Sequence, residues 1–254
     1  MMISIMKNKL LFVAKIILPI VLWLGIWQLA AMLLDFSYLL PTVPQTLHSL
    51  WNILLSATAY KILLLTLKRV LLSLIFAIIF GAVFAIASAK IEAVRVVISP
   101  LVSVMKSTPV TVVAVLFYLL LPGDSAPIVV ALLMTVPVIW QNLMDGYNAI
   151  DKNLWEVCDV FEFSFKKRLK VLILPSLLKY FLPALITSVG LAWKAVISAE
   201  ILVHTVHSVG EMIYDAKYNL DTPRVFAWTL IVITLSIVLE RLTKFLVGRC
   251  KACK

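Results

Sequence analysis

Residues 146–180 read GYNAIDKNLWEVCDVFEFSFKKRLKVLILPSLLKY, a basic and amphipathic segment that lies between two apolar stretches. Within it, apolar side chains recur at helical spacing, with charged residues between them, at Leu154, Val157, Cys158 and Phe161. A short helix outside the membrane with such a stripe needs a surface against which to bury it. The segment therefore predicts a docking element on an otherwise apolar chain.

The composition of the chain is that of a membrane protein. Of its 254 residues, 63% are hydrophobic and 14% are charged, and the mean hydropathy is +1.05. Five uncharged apolar runs cover residues 16–34, 70–89, 107–123, 125–144 and 225–239, and a sixth, at 180–203, contains only Lys194 and Glu200 as charged residues. Because about 17–25 helical residues cross a hydrocarbon core, the sequence predicts an all-α membrane protein with six transmembrane helices.

The six predicted spans form a single domain over residues 1–254. They cover residues 10–34, 66–89, 96–121, 125–145, 181–203 and 225–247, with an outer segment at 35–65 and a cytoplasmic loop at 146–180. Of the 23 basic residues, 16 lie on the side of the termini and of this loop, and five, including Arg69, lie on the other side. The positive-inside rule therefore places both termini and the loop in the cytoplasm. The net charge of +10 is then a sign of topology rather than of nucleic-acid binding.

The sequence has no feature of an ATPase or of a cofactor site. None of its seven glycines belongs to a phosphate-binding loop of the form G-x-x-x-x-G-K-S/T. His204 and His207 have no third metal ligand beside them, and the sequence contains neither a G-x-S-x-G nucleophile elbow nor an H-E-x-x-H motif. We therefore predict no catalytic residue, metal or cofactor on this chain. If the protein does work across the membrane, the nucleotide chemistry belongs to another polypeptide.

The loop resembles the cytoplasmic loop of the permease subunits of bacterial ABC importers. In that family the motif is E-A-A, three residues, Gly, nine residues, and then I-x-L-P. Here Glu156, Val157 and Cys158 stand for the first triplet, Glu162 takes the glycine position, and residues 172–175 read LILP. Glutamate at the glycine position predicts a helix that continues where the family usually bends.

Four further regions resemble the permeases of the aliphatic-sulfonate, taurine, nitrate and bicarbonate group. WLGIWQ at 23–28, followed by LLPTVP at 39–44, is similar to the opening W-x-x-x-x-LLPSP of that group. TLKRV at 66–70 is similar to its S-L-x-R-V start of the first core helix. STP at 107–109, and AWKA at 192–195 with Ala199 and Glu200, resemble its third- and fifth-helix signatures. The four motifs in order extend the resemblance over nearly the whole chain.

The resemblance implies the bundle of a type I ABC importer permease with a cytoplasmic coupling helix. The implied partners are cytoplasmic ATP-binding subunits, an extracytoplasmic substrate-binding protein, a second permease copy and the lipid of the bacterial cell membrane. Closure of two ATP-binding subunits would move two coupling helices and switch the bundles between inward- and outward-facing states. The implied coupling residues are Leu154, Glu156, Val157, Cys158, Phe161, Glu162, Leu174 and Pro175. The alternative is that the apolar stripe lies in the lipid headgroups.

Two lysines within predicted spans indicate a solute path, because ionisable groups in lipid are costly and usually face a cavity or a partner. Lys106 and Lys194 are predicted near mid-depth, where they favour an anionic solute. The residues assigned to the path are Lys106, Thr108, Pro109, Lys194 and Glu200. The alternatives are that Lys194 pairs structurally with an acid and that Lys106 extends towards the cytoplasmic surface.

Two other classes of function compete with a permease. A polytopic enzyme that acts on lipid would need clustered catalytic acids, histidines or serines, whereas the 13 acidic residues are scattered along the sequence. A non-transporting scaffold that recruits a soluble ATPase would share the sequence features of a permease.

Overall fold

The computed structural model describes residues 2–34, 38–121 and 125–252, and the elements within these ranges are helical. Residues 35–37 of the predicted outer segment lie outside the described residues. The helices are α1 Met2–Leu34, α2 Val43–Leu55, α3 Ala57–Lys90, α4 Glu92–Ser107, α5 Val110–Leu120, α6 Ser125–Asn148, α7 Lys152–Val160, α8 Phe165–Arg168, a π-helical turn Leu169–Ile173, α9 Leu174–Val203, α10 Val209–Tyr218 and α11 Thr222–Ala252.

In the part of the chain that the structure describes, four helical stretches are long and apolar enough to cross a membrane. They are α3, α6, the continuous stretch Phe165–Val203, and Thr222–Arg249 within α11. The pair α4 and α5 adds a fifth if it is counted as one broken span, and Leu18–Leu34 is a shorter apolar helix. The number of helices that qualify as spans by length and composition is therefore four or five, which is lower than the six spans predicted from the sequence.

The third predicted span, at 96–121, is not one straight helix. The axes of α4 and α5 differ in direction by 105°. Thr108 and Pro109 have extended backbone, with ψ of 127° and 134°. Proline has no amide hydrogen and disfavours helical backbone in the residue before it, so Pro109 ends α4 and begins α5. The hydropathy of the sequence continues across this break and gives no sign of it.

The chain divides into two compact units, residues 1–60 with 212–231, and residues 61–211 with 232–254. In the larger unit, the most extensive packing is between α6 and α9. One core cluster there combines Val70, Ala131, Ala192, Trp193 and Val196. Alanines at these positions let helix backbones approach closely, which is how helices associate when lipid is the solvent.

In the smaller unit, the start of α2 is fastened to α1. The Trp27 indole N–H donates to the Pro41 carbonyl at 3.0 Å, and the Val43 amide donates to the Gln28 side-chain oxygen at 2.9 Å. The Trp27 ring also stacks on Phe226 of α11, with ring centroids 5.5 Å apart. Side chains of α1 therefore fix where α2 begins.

Candidate functional site

Helix α7 forms the centre of the loop at 146–180. Asp151 caps its N-terminus, because its side chain accepts a hydrogen bond from the Asn153 amide at 2.9 Å. One side of the helix and of the turn after it is apolar and exposed, with Val157 46% and Phe161 69% accessible. We call this surface the α7 face; it consists of Leu154, Val157, Val160 and Phe161. Val160 was not among the predicted coupling residues, although it lies three positions from Val157 on the same side.

Cys158 does not belong to the α7 face. Its side chain is 4% exposed and packs with Ile150 and Leu172 inside the loop. The prediction that it lies in the docking stripe is wrong, because successive helical residues point about 100° apart and Cys158 turns away from its neighbour Val157. The helix thus has two apolar sides, of which one holds the loop together and the other is exposed.

The helix does not continue through Glu162, so that prediction is also wrong. Glu162 has a left-handed backbone, with φ of 51°. The Phe163 amide donates to the Cys158 carbonyl at 2.9 Å and the Glu162 amide donates to the Asp159 carbonyl at 3.0 Å. This pair of bonds is the Schellman arrangement that ends helices, in which glycine usually takes the left-handed position. The bend is therefore kept with glutamate where the loop motif has glycine.

Arg168 holds the returning arm of the loop. Its guanidinium lies 2.6 Å from the Asp159 carboxylate, and its Nε donates to the Phe163 carbonyl at 2.8 Å. The Lys167 ammonium lies over the Phe163 ring, 3.8 Å from the centroid. These contacts lock the turn that follows α7, so that the α7 face is carried on a braced loop.

The end of the loop motif lies at the root of α9. Leu174 is exposed and Pro175 is partly buried in the first turn of that helix. The Leu174 amide donates to the Leu169 carbonyl, five residues back, which is a π-helical bond. Because Pro175 has no amide hydrogen, the regular bonding pattern is interrupted at this point.

Lys106 lies in the last turn of α4, directly before the bend. It is exposed, and its ammonium is 3.4 Å from the Gln141 side-chain oxygen. Gln141 in turn donates to the Asp145 carboxylate at 2.9 Å. The Thr108 hydroxyl donates to the Val104 carbonyl at 2.7 Å, so it completes the end of α4, and Pro109 is exposed.

Lys194 is exposed on α9 between two buried neighbours, Trp193 and Ala195. Thr187 and Ser198 are exposed seven residues before it and four residues after it, and so lie on the same side of the helix. Lys194 is also within electrostatic reach of Glu240 on α11, which is bonded to Lys244. A polar stripe therefore runs along one side of an otherwise apolar helix.

Glu200 does not lie on an exposed surface, and its assignment to the solute path stays a prediction. Its side chain is fully buried, and its carboxylate lies 3.0 Å from the Arg69 guanidinium. The Thr66 hydroxyl donates to both carboxylate oxygens, at 3.0 and 3.1 Å. Arg69 was predicted among the outer basic residues but is 5% exposed within α3. The sequence motifs that hold these residues were both recognised, but nothing in them showed that they meet.

The same cluster fixes the turn between α9 and α10. Arg69 donates to the Val206 and His207 carbonyls at 3.2 and 3.4 Å, and the Val209 amide donates to the Thr66 hydroxyl at 3.1 Å. We call this arrangement the Arg69–Glu200 cluster; it consists of Thr66, Arg69, Glu200 and the backbone of 206–210. Gly210 comes so close that an added Cβ would lie 2.3 Å from the Glu200 Cβ.

Comparison with known proteins identifies the chain. The sequence profile of the binding-protein-dependent transport system inner membrane components matches residues 77–251. The chain belongs to this family. The predicted resemblance to ABC importer permeases is thereby confirmed, and a permease is a transport subunit rather than an enzyme or a scaffold.

Several curated relatives of the permease are transport proteins. An aliphatic sulfonates transport permease of Bacillus subtilis (strain 168) is 27% identical over 219 residues, which is 85% of this chain and 78% of the relative. A bicarbonate transport system permease of Synechococcus elongatus is 27% identical over 124 residues, 49% of this chain and 45% of the relative. A bicarbonate permease of Synechocystis (strain PCC 6803) is 31% identical over 108 residues, 42% of this chain and 39% of the relative.

A solved structure supports the fold of the permease. A crystal structure of an amino acid ABC transporter with histidines superposes with a TM-score of 0.62 at 18% sequence identity, and covers 75% of this chain and 91% of that chain. The predicted all-α ABC permease fold is confirmed by this likeness. As an inner membrane component of a binding-protein-dependent system, the permease works with an ATPase and a substrate-binding protein.

Proposed function

We propose that the permease carries a small anionic solute across the bacterial cell membrane, driven by ATP that a partner subunit hydrolyses. The proposal rests on the α7 face, an exposed apolar surface on a loop that the Arg168 contacts hold in place. Because these contacts hold the loop in one conformation, a displacement of α7 would move the whole loop rather than be lost in local rearrangement. Docking on an ATP-binding subunit would remove Leu154, Val157, Val160 and Phe161 from water.

The remaining loop residues support this docking. Glu156 is exposed next to the α7 face, where it is placed to pair with a basic residue at the rim of a cleft. Leu174 and Pro175 join the loop to α9, the helix that carries Lys194. Cys158 shapes the loop from inside and Glu162 shapes it through its left-handed backbone, so both act on coupling only through the geometry of the loop. A movement of α7 would therefore reach the membrane helices through α9.

The anionic character of the solute rests on Lys106 and Lys194. Both are exposed on helices of the spanning region, where a charge in contact with hydrocarbon would cost several kcal/mol. A water-filled path used by an anion removes that cost. Thr108 and Pro109 accompany Lys106 at the bend between α4 and α5. Two relatives are named for the transport of sulfonates and bicarbonate, which are small anions.

The proposed assembly follows the charge distribution. Both termini and the loop at 146–180 lie in the cytoplasm, where two ATP-binding subunits hold ATP and Mg²⁺ and this chain holds no cofactor. A second copy of the permease completes the path, a substrate-binding protein delivers the solute from outside, and lipid surrounds the apolar helix surfaces.

Proteoliposomes test this proposal. The permease is reconstituted with its ATP-binding subunit and binding protein, and uptake of a radiolabelled short aliphatic sulfonate is measured with ATP and with a non-hydrolysable analogue. We expect accumulation with ATP alone, reduced by excess unlabelled sulfonate but not by the corresponding neutral alcohol. Uptake that is independent of ATP, or that the neutral alcohol inhibits equally, would contradict the proposal.

A further inference from the structure

Helix α2 has three distinct sides. At about 100° per residue, one exposed side is apolar, and Trp51 on it is 62% accessible. We call this the α2 apolar side; it consists of Leu47, Trp51, Leu54 and Leu55. A second exposed side, the α2 polar side, consists of Gln45, His48 and Asn52. The third side, with Thr46 and Ile53, is buried.

The α2 polar side borders a space suited to water. A shallow groove of about 430 Å³ is lined by Pro44, Gln45, His48, Ser49, Asp221 and Pro223. Four of the six lining residues have polar or charged side chains, in contrast to the leucines and tryptophan on the adjoining side of the helix. One helix thus presents a wet surface and an apolar surface next to each other, which is typical of a helix at a membrane–water boundary.

Contacts with α1 set the depth of α2. Its start is bonded to Trp27 and Gln28, which lie six or seven residues before Leu34, the last residue of α1. At about 1.5 Å per residue, α2 begins about 10 Å back along α1 from that end. The intervening residues of α1 are apolar, and Leu33 is 86% exposed. Interfacial helices bury their apolar sides to about 5–10 Å, and α2 would lie at such a depth if the end of α1 reaches the outer surface of the headgroups.

Exposed aromatic side chains flank α2 at both ends. Tyr38 precedes the helix and Tyr60 follows it, and both are exposed. The Tyr60 hydroxyl donates to the Leu54 carbonyl at 2.8 Å, so its ring is held at the end of α2. Exposed Tyr and Trp are concentrated where spanning proteins meet the headgroups. With 13 residues, α2 is itself too short to cross the membrane.

From these observations we infer that α2 is an interfacial helix, whose apolar side binds the phospholipid of the outer leaflet at the headgroup–acyl boundary. The polar side faces the outer water. The choice of the outer leaflet rests on the proposed topology, whereas contact with lipid does not. The helix would anchor the segment between α1 and α3 at a fixed depth.

Spin labels on the whole permease in lipid nanodiscs test this inference, first without any partner protein and then with the binding protein added. Single cysteines are introduced by Leu54→Cys and Leu47→Cys on the apolar side and by His48→Cys and Asn52→Cys on the polar side, with Cys158, Cys250 and Cys253 replaced by alanine. Collision rates with oxygen, which dissolves in lipid, are compared with those of a water-soluble nickel complex. We expect the oxygen-to-nickel ratio to be several-fold higher at 47 and 54 than at 48 and 52.

Two pairs of positions keep the test decisive if one variant fails to fold. Equal ratios on both sides of α2 would overturn the inference. So would low access to both reagents at 54 with spin–spin coupling between copies, which would mean that a second permease covers the side. Shielding that begins only when the binding protein is added would overturn it as well. Failure of solute uptake would leave the result unaffected, so the proposed function and this inference are tested separately.

Discussion

The Glu200 carboxylate in α9 lies 3.0 Å from the Arg69 guanidinium in α3, 131 residues earlier in the chain. Both side chains are buried, and the Thr66 hydroxyl and the Gly210 amide also donate to the carboxylate. The pair therefore meets the hydrogen-bonding needs of two charges in a place with little water. It joins two membrane helices and the turn that leads into α10.

Removal of one charge from this pair should destabilise the permease strongly. Arg69→Met and Glu200→Leu should each lower the free energy of unfolding by about 3–5 kcal/mol, because each leaves the opposite charge buried without compensation. The double variant should recover a large part of that loss. Thermal unfolding of the purified permease in detergent measures all three. Strictly additive single effects would show that the two charges do not interact.

Gly210 should tolerate no side chain. In Gly210→Ala the added Cβ would lie 2.3 Å from the Glu200 Cβ, so helix α9 and the turn must separate. We expect a loss of about 1–3 kcal/mol or more. Gly190→Ala is the matched control, because an added Cβ there has no neighbour within 4 Å and alanine favours a helix over glycine. Equal unfolding temperatures for the two variants would contradict the packing described.

Position 162 should prefer glycine. Glu162 has φ of 51°, a conformation that costs a residue with a Cβ about 1–2 kcal/mol. Glu162→Gly should therefore slow hydrogen exchange in residues 152–163 and leave transport intact, whereas the β-branched Glu162→Val should speed that exchange. Faster exchange in the glycine variant than in the original protein would count against a left-handed residue here.

Lys194→Met separates a solute-facing lysine from a structural one. If Lys194 faces an anion path, the variant should assemble and hydrolyse ATP with its partners but take up the sulfonate poorly. If it mainly compensates Glu240, the variant should instead lose thermal stability. Uptake assays and unfolding temperatures are measured on the same preparations. Full uptake with unchanged stability would show that Lys194 neither faces the solute nor stabilises the permease.

The features that depend on local sequence pattern were predicted well. The length of the apolar runs predicted α3, α6, α9 and α11 as membrane helices, because hydrophobicity over about 20 residues decides insertion. The loop motif predicted a short amphipathic helix between two spans, and α7 lies there. These features are local, so a single sequence contains them.

The features that the sequence missed depend on position in space. Arg69 and Glu200 meet across 131 residues, and periodicity within either helix does not report such a contact. Cys158 and Val157 are both apolar, so their spacing did not show which of them packs inside the loop. Glu162 takes a conformation that its own preferences would not predict; the Schellman bonds and the Arg168 contacts around it impose the bend.

The α7 face is proposed to receive the motion driven by ATP. Val157 is 46% exposed in the permease alone, so Val157→Asp should insert and fold normally. In the assembled transporter the same carboxylate would be desolvated against the partner, which is strongly unfavourable. Val157→Leu keeps the face apolar and is the matched control.

The most direct measurement is ATP-driven uptake of the labelled sulfonate by proteoliposomes that contain equal amounts of the Val157→Asp or Val157→Leu permease with the partner subunits. We expect uptake to fall to the level without ATP for Val157→Asp and to stay near that of the original protein for Val157→Leu. Equal uptake by the two variants would contradict the proposal.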